Sequence, residues 1–290
     1  MTMFSRITVF LEMIKFSHTL FALPFAFTGA LLAARGIPSV GQLAWILLAM
    51  VGARTAAMGL NRLIDAEIDA RNPRTATRAI PAGLLSKGNV ALFILFSILL
   101  LLYAAYQLNP LCLKLSPVAL FFLVLYSYCK RFTALAHVVL GICLAGAPIG
   151  AWIAIRGEVS LPPLLLGGAV MFWVAGFDIL YALQDLEFDK AAGLHSIPVR
   201  LGLTGFLWLA RIFSLAMVAQ LVWLWLAASL GIPFLCGITA VSLLLLYEHW
   251  LLKDGDLSRL DLAFFTMNGY VSIIIFVATA VEIFISGRAG

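Results

Sequence analysis

Nine long apolar stretches constrain the fold of this sequence more than any other feature. They lie at about residues 16–34, 43–60, 90–107, 111–128, 136–155, 162–183, 205–228, 232–250 and 266–286. Each is long enough to form a helix across the ~30 Å hydrocarbon core of a bilayer. Hydrophobic residues make up 63% of the 290, and charged residues only 11%, whereas a soluble domain has roughly 25% charged residues. The sequence therefore predicts an all-α, polytopic membrane protein of about nine transmembrane helices, forming a single domain over residues 1–290.

The boundary between the third and fourth stretches is the least defined. Asn109-Pro110 and Ser116-Pro117 both interrupt the apolar pattern, and proline ends or kinks helices. The count therefore allows one helix more or fewer. The first stretch is too long for the apolar region of a cleavable signal peptide, so we expect it to be a spanning helix.

Basic residues are distributed unevenly between the two sides of the predicted membrane. Most of the 19 Lys and Arg residues fall in loops on the side of the N-terminus. The positive-inside rule then predicts a cytoplasmic N-terminus and, with nine helices, a C-terminus outside. This topology accounts for the net charge of +5, so no nucleic-acid partner is predicted. The four cysteines show no CxxC spacing, which argues against both a zinc site and a disulfide framework.

Two acidic clusters stand at the predicted cytoplasmic ends of the second and sixth stretches. One contains Asp65 and Asp69, and the other contains Asp185 and Asp189. Carboxylates four residues apart share a helix face at ~5–6 Å, where like charges repel unless a cation lies between them. Hard cations such as Mg²⁺ are held by carboxylates together with substrate phosphates. Because arginine-rich sequence follows the first cluster, the pattern predicts a metal-dependent diphosphate site.

Residues of the two stretches recur at the same helical spacing and share one helix face in each. They are Arg54, Met58, Asn61 and Asp65 in the second stretch, and Asp178, Ala182, Asp185 and Asp189 in the sixth. Four helices separate the two sets, which indicates a pseudo-repeat of helices 1–4 and 5–8. Packed together, the two units would enclose a central cavity with the carboxylates at its cytoplasmic mouth.

Four motifs in this order resemble the UbiA superfamily of intramembrane prenyltransferases. They are NxxxDxxxD at 61–69, NPRTxxRxxPxG at 72–83, YSYxKR at 126–131 and DxxYAxxDxxxD at 178–189. The resemblance implies that four carboxylates hold Mg²⁺: Asp65, Asp69, Asp185 and Asp189. It also implies that further motif residues bind the diphosphate of a polyprenyl donor: Asn61, Arg74, Arg78, Lys130, Arg131 and Tyr181.

The segment MIKFSHTLFALPFAF near the N-terminus is similar to the 4-hydroxybenzoate polyprenyltransferase-like branch of that superfamily. This similarity implies transfer of the polyprenyl group to an aromatic acid in quinone biosynthesis, at a bacterial inner membrane. A naphthoate-type precursor of menaquinone is the alternative to a ubiquinone precursor.

Arg54 and Asp178 each lie seven residues before a motif residue, so each is placed ~10 Å deeper in the membrane. A buried charge requires a partner. One interpretation is an ion pair that joins the two helices. The other is that Arg54 binds the carboxylate of the acceptor while Asp178 orients the acceptor hydroxyl or stabilises the developing cation.

His18, in the first stretch, is a candidate for accepting the proton that the aromatic ring loses. His137, beside Lys130 and Arg131, is assigned instead to the membrane interface.

A secondary transporter is the main rival function, because a pseudo-repeat with intramembrane charges would suit one. The carboxylates lie at one face rather than at the midplane, which argues against it. A non-catalytic scaffold that binds isoprenoid lipids is a second rival function. The intact sets of carboxylates argue against it.

Overall fold

The computed structural model describes residues 9, 10, 12, 13, 22–251 and 267–286. The helices of residues 22–251 and 267–286 are α1 (Leu23–Ala34), α2 (Val40–Ile64), α3 (Ala66–Arg71), α4 (Lys87–Leu108), α5 (Pro110–Cys129), α6 (Ala136–Arg156), α7 (Leu161–Tyr181), a 3₁₀ helix (Ala182–Asp185), α8 (Leu186–Ala191), α9 (Ile197–Ala227), α10 (Ile232–Leu251) and α11 (Asn268–Ser286). Among these residues, eight helical segments are long and apolar enough to cross a membrane, and α1 is a shorter apolar helix. The predicted all-α class is confirmed, and the number of helices agrees with the predicted nine.

Polar caps fix the helix boundaries that the apolar pattern left open. The Asn109 side chain accepts hydrogen bonds from the N–H groups of Leu111 and Cys112, both at 3.0 Å, and Pro110 is the first residue of α5. A proline at this position removes an N–H that has no helical partner in any case. Pro117 lies inside α5 without dividing it. The boundary therefore falls at Asn109, and the predicted fourth helix is continuous.

Close backbone contacts hold the bundle together. A Cβ atom added at Gly141 of α6 would lie 2.4 Å from the carbonyl oxygen of Met171 in α7. One added at Gly29 of α1 would lie 2.4 Å from the carbonyl oxygen of Pro148 in α6. Small residues at such points let membrane helices approach closely, where van der Waals packing stabilises them. The helix α7 is the most buried, since it packs between α6 and α9.

A cavity of about 870 Å³ lies inside the bundle, lined mainly by α2, α5, α6 and α7. Along α2 its lining runs from Asp65 to Ile46, a rise of ~28 Å. The four carboxylates of the two acidic clusters lie at one end of this lining, which we call the acidic end. The rest of the lining is mostly apolar and includes small residues such as Ala49, Ala53, Ala105, Ala119, Gly146, Ala147 and Gly150.

Asp65 and Asp185 mark two similar breaks in the helices at the acidic end. Asp65, with φ −89° and ψ 3°, joins α2 to the six-residue α3, and Asp185, with φ −105° and ψ 3°, precedes the six-residue α8. The predicted placement of Asp178, Ala182, Asp185 and Asp189 on one helix face is therefore wrong. Its premise was a continuous helix, whereas α7 ends at Tyr181 and a 3₁₀ turn follows. The pseudo-repeat itself stays a prediction.

Candidate active site

Asp65 is buried at the centre of the acidic end, where two cations contact its carboxylate. Lys130 Nζ lies 2.7 Å from Oδ2, and Arg131 Nη1 lies 2.9 Å from Oδ1. The Asn61 amide also donates a hydrogen bond to Oδ2, at 3.0 Å. Only 2% of the Asp65 side chain is exposed, so its charge depends on these partners.

Arg131 also ties together the backbone around this carboxylate. Its guanidinium donates to the carbonyl of Ile64 at 2.9 Å and to that of Ser127 at 2.8 Å. The last carbonyls of a helix have no partner within the helix. Arg131 thus provides a hydrogen-bond donor for a carbonyl at the end of α2. This contact is additional to the phosphate-binding role that the resemblance implies.

Asp69 is held from the loop that follows α3. Arg78 Nη1 lies 2.6 Å from its Oδ1, and the Thr75 hydroxyl donates to its backbone carbonyl at 3.0 Å. The second carboxylate oxygen, Oδ2, is buried and has no hydrogen-bond partner among the described residues. Such an oxygen is open to a further cation.

Asp185 binds the same loop from the other side of the cavity. Arg74 contacts both of its carboxylate oxygens, and Asn72 Nδ2 donates to Oδ1 at 2.8 Å. Partial burial opposes the charge of Arg74, but the hydrogen bond and the negative charge of Asp185 raise the pKa of this arginine. The Arg74 guanidinium also lies 5.8 Å from the centre of the Tyr181 ring, within the range of a cation–π contact.

Asn72 had been given no role from the sequence, although it begins the NPRT motif. Its side chain accepts the N–H of Arg74 at 3.0 Å while donating to Asp185. It therefore fixes both members of the Arg74–Asp185 pair. An asparagine two residues before an arginine, in a turn-forming segment, was the available signal.

The four predicted metal ligands all line the cavity at this end. Within residues 22–251 and 267–286, however, no group of three or more His, Cys, Asp or Glu side chains is close enough to share a metal ion. Asp65, Asp69 and Asp185 are instead each paired with Lys or Arg. The donor set still fits Mg²⁺, because it consists of carboxylate oxygens and includes the unpartnered Asp69 Oδ2.

Asp178 pairs with His137, a contact that the sequence did not predict. His137 Nδ1 lies 2.7 Å from Asp178 Oδ2, and both side chains line the cavity. The assignment of His137 to the interface is wrong, since only 5% of this residue is exposed. A contact between the start of α6 and the last turn of α7 leaves no signal in linear spacing. Arg54 also lines the cavity, and His18 lies outside the described residues.

Comparisons with known proteins agree with this geometry. A sequence model described as the UbiA prenyltransferase family matches residues 22–270. The chain belongs to the UbiA prenyltransferase family. The predicted resemblance is thereby confirmed, and the protein is a prenyltransferase rather than a transporter or a scaffold.

Among curated members of the UbiA family, the 4-hydroxybenzoate octaprenyltransferase of Francisella tularensis subsp. novicida is 28% identical over 256 residues. The match covers 88% of this chain and 89% of that relative. Among solved structures, the apo form of a UbiA homolog from Aeropyrum pernix K1 is 33% identical, with a TM-score of 0.84, covering 92% of this chain and 98% of that one. A UbiA homolog from Archaeoglobus fulgidus bound to DMAPP and Mg²⁺ has the same fold at 21% identity and a TM-score of 0.70, covering 94% and 98% of the two chains.

Proposed function

We propose that this UbiA-family protein transfers a polyprenyl group from a polyprenyl diphosphate to a 4-hydroxybenzoate-like aromatic acid in quinone biosynthesis, releasing diphosphate. One observation carries the proposal: a single cavity joins an end rich in paired charges to a long apolar chamber. An amphipathic donor with a charged head and an isoprenoid tail matches both parts. The name of the Francisella relative and the DMAPP and Mg²⁺ in the Archaeoglobus homolog support this class of substrates.

The acidic end would bind the diphosphate by exchanging ionic partners. Arg74, Arg78 and Lys130 now contact carboxylates, and each is within a side-chain rotation of an incoming phosphate. Asn61 and Tyr181 would complete the diphosphate site, together with Arg131. When the basic residues turn to the anion, the carboxylates lose their counter-charges and require another cation.

That cation would be Mg²⁺, held by Asp65, Asp69, Asp185 and Asp189, and it would neutralise charge that develops on the departing diphosphate. The lysine and arginines at this end would stabilise the same charge. The allylic C–O bond then breaks, and the electron-rich ring of the acceptor forms the new C–C bond. The chain contributes no covalent nucleophile to this step. Its apolar chamber excludes water from the allylic cation.

Arg54 would bind the carboxylate of the acceptor. It lines the cavity seven residues before Asn61 on α2, ~10 Å from the diphosphate site along the helix. A guanidinium in an apolar chamber is well suited to a planar carboxylate. Asp178, which lines the same cavity from α7, would face the acceptor from the opposite wall.

The protein is an integral membrane protein, and we place it in a bacterial inner membrane with the N-terminus and the acidic end facing the cytoplasm. The C-terminus would lie outside. This orientation rests on the excess of Lys and Arg in the loops of one side.

The test is product formation by the purified full-length protein in lipid nanodiscs. The reaction would contain a polyprenyl diphosphate, Mg²⁺ and either 4-hydroxybenzoate or a hydroxynaphthoate, with the prenylated product identified by mass spectrometry. Prenylated 4-hydroxybenzoate supports the proposal. Product from the hydroxynaphthoate alone would indicate a role in menaquinone synthesis instead. If neither acid gives product, the proposal of an aromatic acid as acceptor is wrong.

A further inference from the structure

His137 and Asp178 form a pair of unequal exposure in the wall of the cavity. The hydrogen bond between Nδ1 and Oδ2 is 2.7 Å long, and the side chains are 7% and 21% exposed, respectively. Asp178 is thus the member of the pair that reaches the open space. His137 lines the same cavity but is more buried, and the bond fixes Oδ2 of Asp178, whereas no hydrogen bond from a described residue reaches the other carboxylate oxygen.

The second nitrogen of His137 points to more than a packing role. Nε2 is buried and has no hydrogen-bond partner among the described residues. A buried polar atom without a partner lowers the stability of the fold. A residue kept for packing alone would avoid this cost, whereas functional sites retain such atoms.

The pair is also placed where the ring would react. Asp178 lies in the last turn of α7, separated from Asp185 by the 3₁₀ helix Ala182–Asp185. Two further groups of the cavity lining interact electrostatically with the pair: the Tyr126 phenol with Asp178, and the Asp189 carboxylate with His137. Asp178 therefore lines the cavity that would hold the acceptor, next to the acidic end that would hold the diphosphate.

We infer that His137 is a positioning residue for prenyl transfer, holding Asp178 so that its free oxygen receives the proton lost by the acceptor ring. This inference rests on the proposed function. In the step, the new C–C bond has formed and the ring carries a positive charge. The C–H bond at the attacked carbon breaks, its electron pair restores aromaticity, and the proton moves to the Asp178 carboxylate. Nδ1–H of His137 donates to Oδ2 throughout and keeps the carboxylate aligned.

The experiment compares His137→Ala and His137→Asn with the wild-type enzyme, using 4-hydroxybenzoate and its form deuterated at ring positions 3 and 5. His137→Ala should lower kcat at least about tenfold while leaving the KM of both substrates within about twofold. The misaligned carboxylate should make proton removal slow, so the variant should show a larger deuterium isotope effect on kcat than the wild type. His137→Asn, whose amide can donate in place of Nδ1–H, should recover most of the rate.

His249→Ala serves as the control, because it removes a half-buried histidine outside the cavity lining, where its ring contacts the Ser214 hydroxyl at 2.9 Å. It should leave the rate per folded molecule and the isotope effect unchanged.

A wild-type kcat in His137→Ala, or a reduced kcat without an increased isotope effect, would overturn the inference. If His137→Ala does not fold, the same readouts in His137→Asn decide: a rate near wild type supports the donor role, and a rate loss without an isotope effect rejects it. If wild-type enzyme prenylates only a hydroxynaphthoate, the proposed acceptor fails and the deuterated naphthoate tests His137. Turnover of neither acid would overturn both proposals.

Discussion

Asp65 and Asp185 both line the cavity and each directly precedes a six-residue helix, with ψ of 3° in both. Their partners differ. Asp65 is bound by Lys130 and Arg131, from the end of α5 and the residues after it, while Asp185 is bound by Asn72 and Arg74. Each carboxylate therefore joins its own helix to a different part of the acidic end. The two positions should differ in their sensitivity to mutation.

Asp65→Asn should reduce both activity and stability, because it leaves two partly buried cations without their counter-charge. About 30% of each cation's side chain is exposed, so we expect a loss of about 2 kcal/mol, below the 3–5 kcal/mol of a fully buried pair. Asp185→Asn should abolish activity with a smaller stability loss, since its carboxylate is 21% exposed. Thermal unfolding in detergent and turnover per folded molecule measure the two effects. Equal stability losses in both variants would contradict the difference in burial.

Removal of divalent metal should stop turnover, and added Mg²⁺ should restore it. We further expect Mg²⁺ and diphosphate to bind cooperatively, because the carboxylates are paired with Lys and Arg until the anion draws those side chains away. Calorimetric titration of Mg²⁺ with and without inorganic pyrophosphate would measure the coupling. The affinity should rise at least about tenfold with pyrophosphate, and identical affinities would argue against exchange of partners.

Lys130→Ala and Arg131→Ala should distinguish a loss of substrate binding from a loss of stability at two neighbouring residues of one motif. Lys130 contacts Asp65 through its side-chain nitrogen, so its loss should mainly raise the KM of the polyprenyl diphosphate. Arg131 additionally binds the carbonyls of Ile64 and Ser127, so its loss should also lower the unfolding temperature. Donor kinetics and thermal unfolding of both variants supply the comparison. An Arg131 variant as stable as the Lys130 variant would refute the second role.

Gly141→Ala should destabilise the packing of α6 on α7 by about 1–3 kcal/mol, the usual cost of overpacking. The new Cβ would lie 2.4 Å from a backbone oxygen of Met171, which cannot move independently of its helix. Gly150→Ala in the same helix is the control, because nothing lies within 4 Å of its Cβ position. The control should be as stable as wild type or more so, given the higher helix propensity of alanine. The measurement is the free energy of unfolding of both variants by denaturant in the same detergent. Equal values for the two variants would contradict the predicted clash at Gly141.

Local patterns in the sequence were enough to place much of the acidic end. Spacings of four residues bring Asp65 and Asp69, and likewise Asp185 and Asp189, to the same part of one cavity. What the sequence did not reveal depends on contacts between distant segments. The His137–Asp178 hydrogen bond spans 41 residues, and the Asn72–Asp185 hydrogen bond spans 113.

The helix breaks were also missed, for a related reason. The sixth predicted stretch runs to residue 183, and the helical spacing was extended from it to Asp185 and Asp189, but the backbone of Ala182–Asp185 forms a 3₁₀ helix. A helical wheel cannot show where hydrogen bonding changes, so the predicted helix face of the second cluster was wrong. The composition of a segment indicates whether it is buried, but it does not determine the residue at which its helix ends.

Arg54→Met should raise the KM of the acceptor without a comparable change for the donor, because Arg54 lines the chamber away from the acidic end. The sharpest comparison varies the substrate together with the residue. Loss of an acceptor carboxylate should cost the wild-type enzyme as much as loss of the guanidinium, and losing both should cost little more than losing either. The assay would compare 4-hydroxybenzoate with 4-hydroxybenzamide in both enzymes, with kcat/KM as the readout. We expect a reduction of at least about thirtyfold for each single change, consistent with a charge-assisted bond of ~2 kcal/mol. Additive losses would mean that Arg54 acts on the packing of the bundle instead of on the acceptor carboxylate.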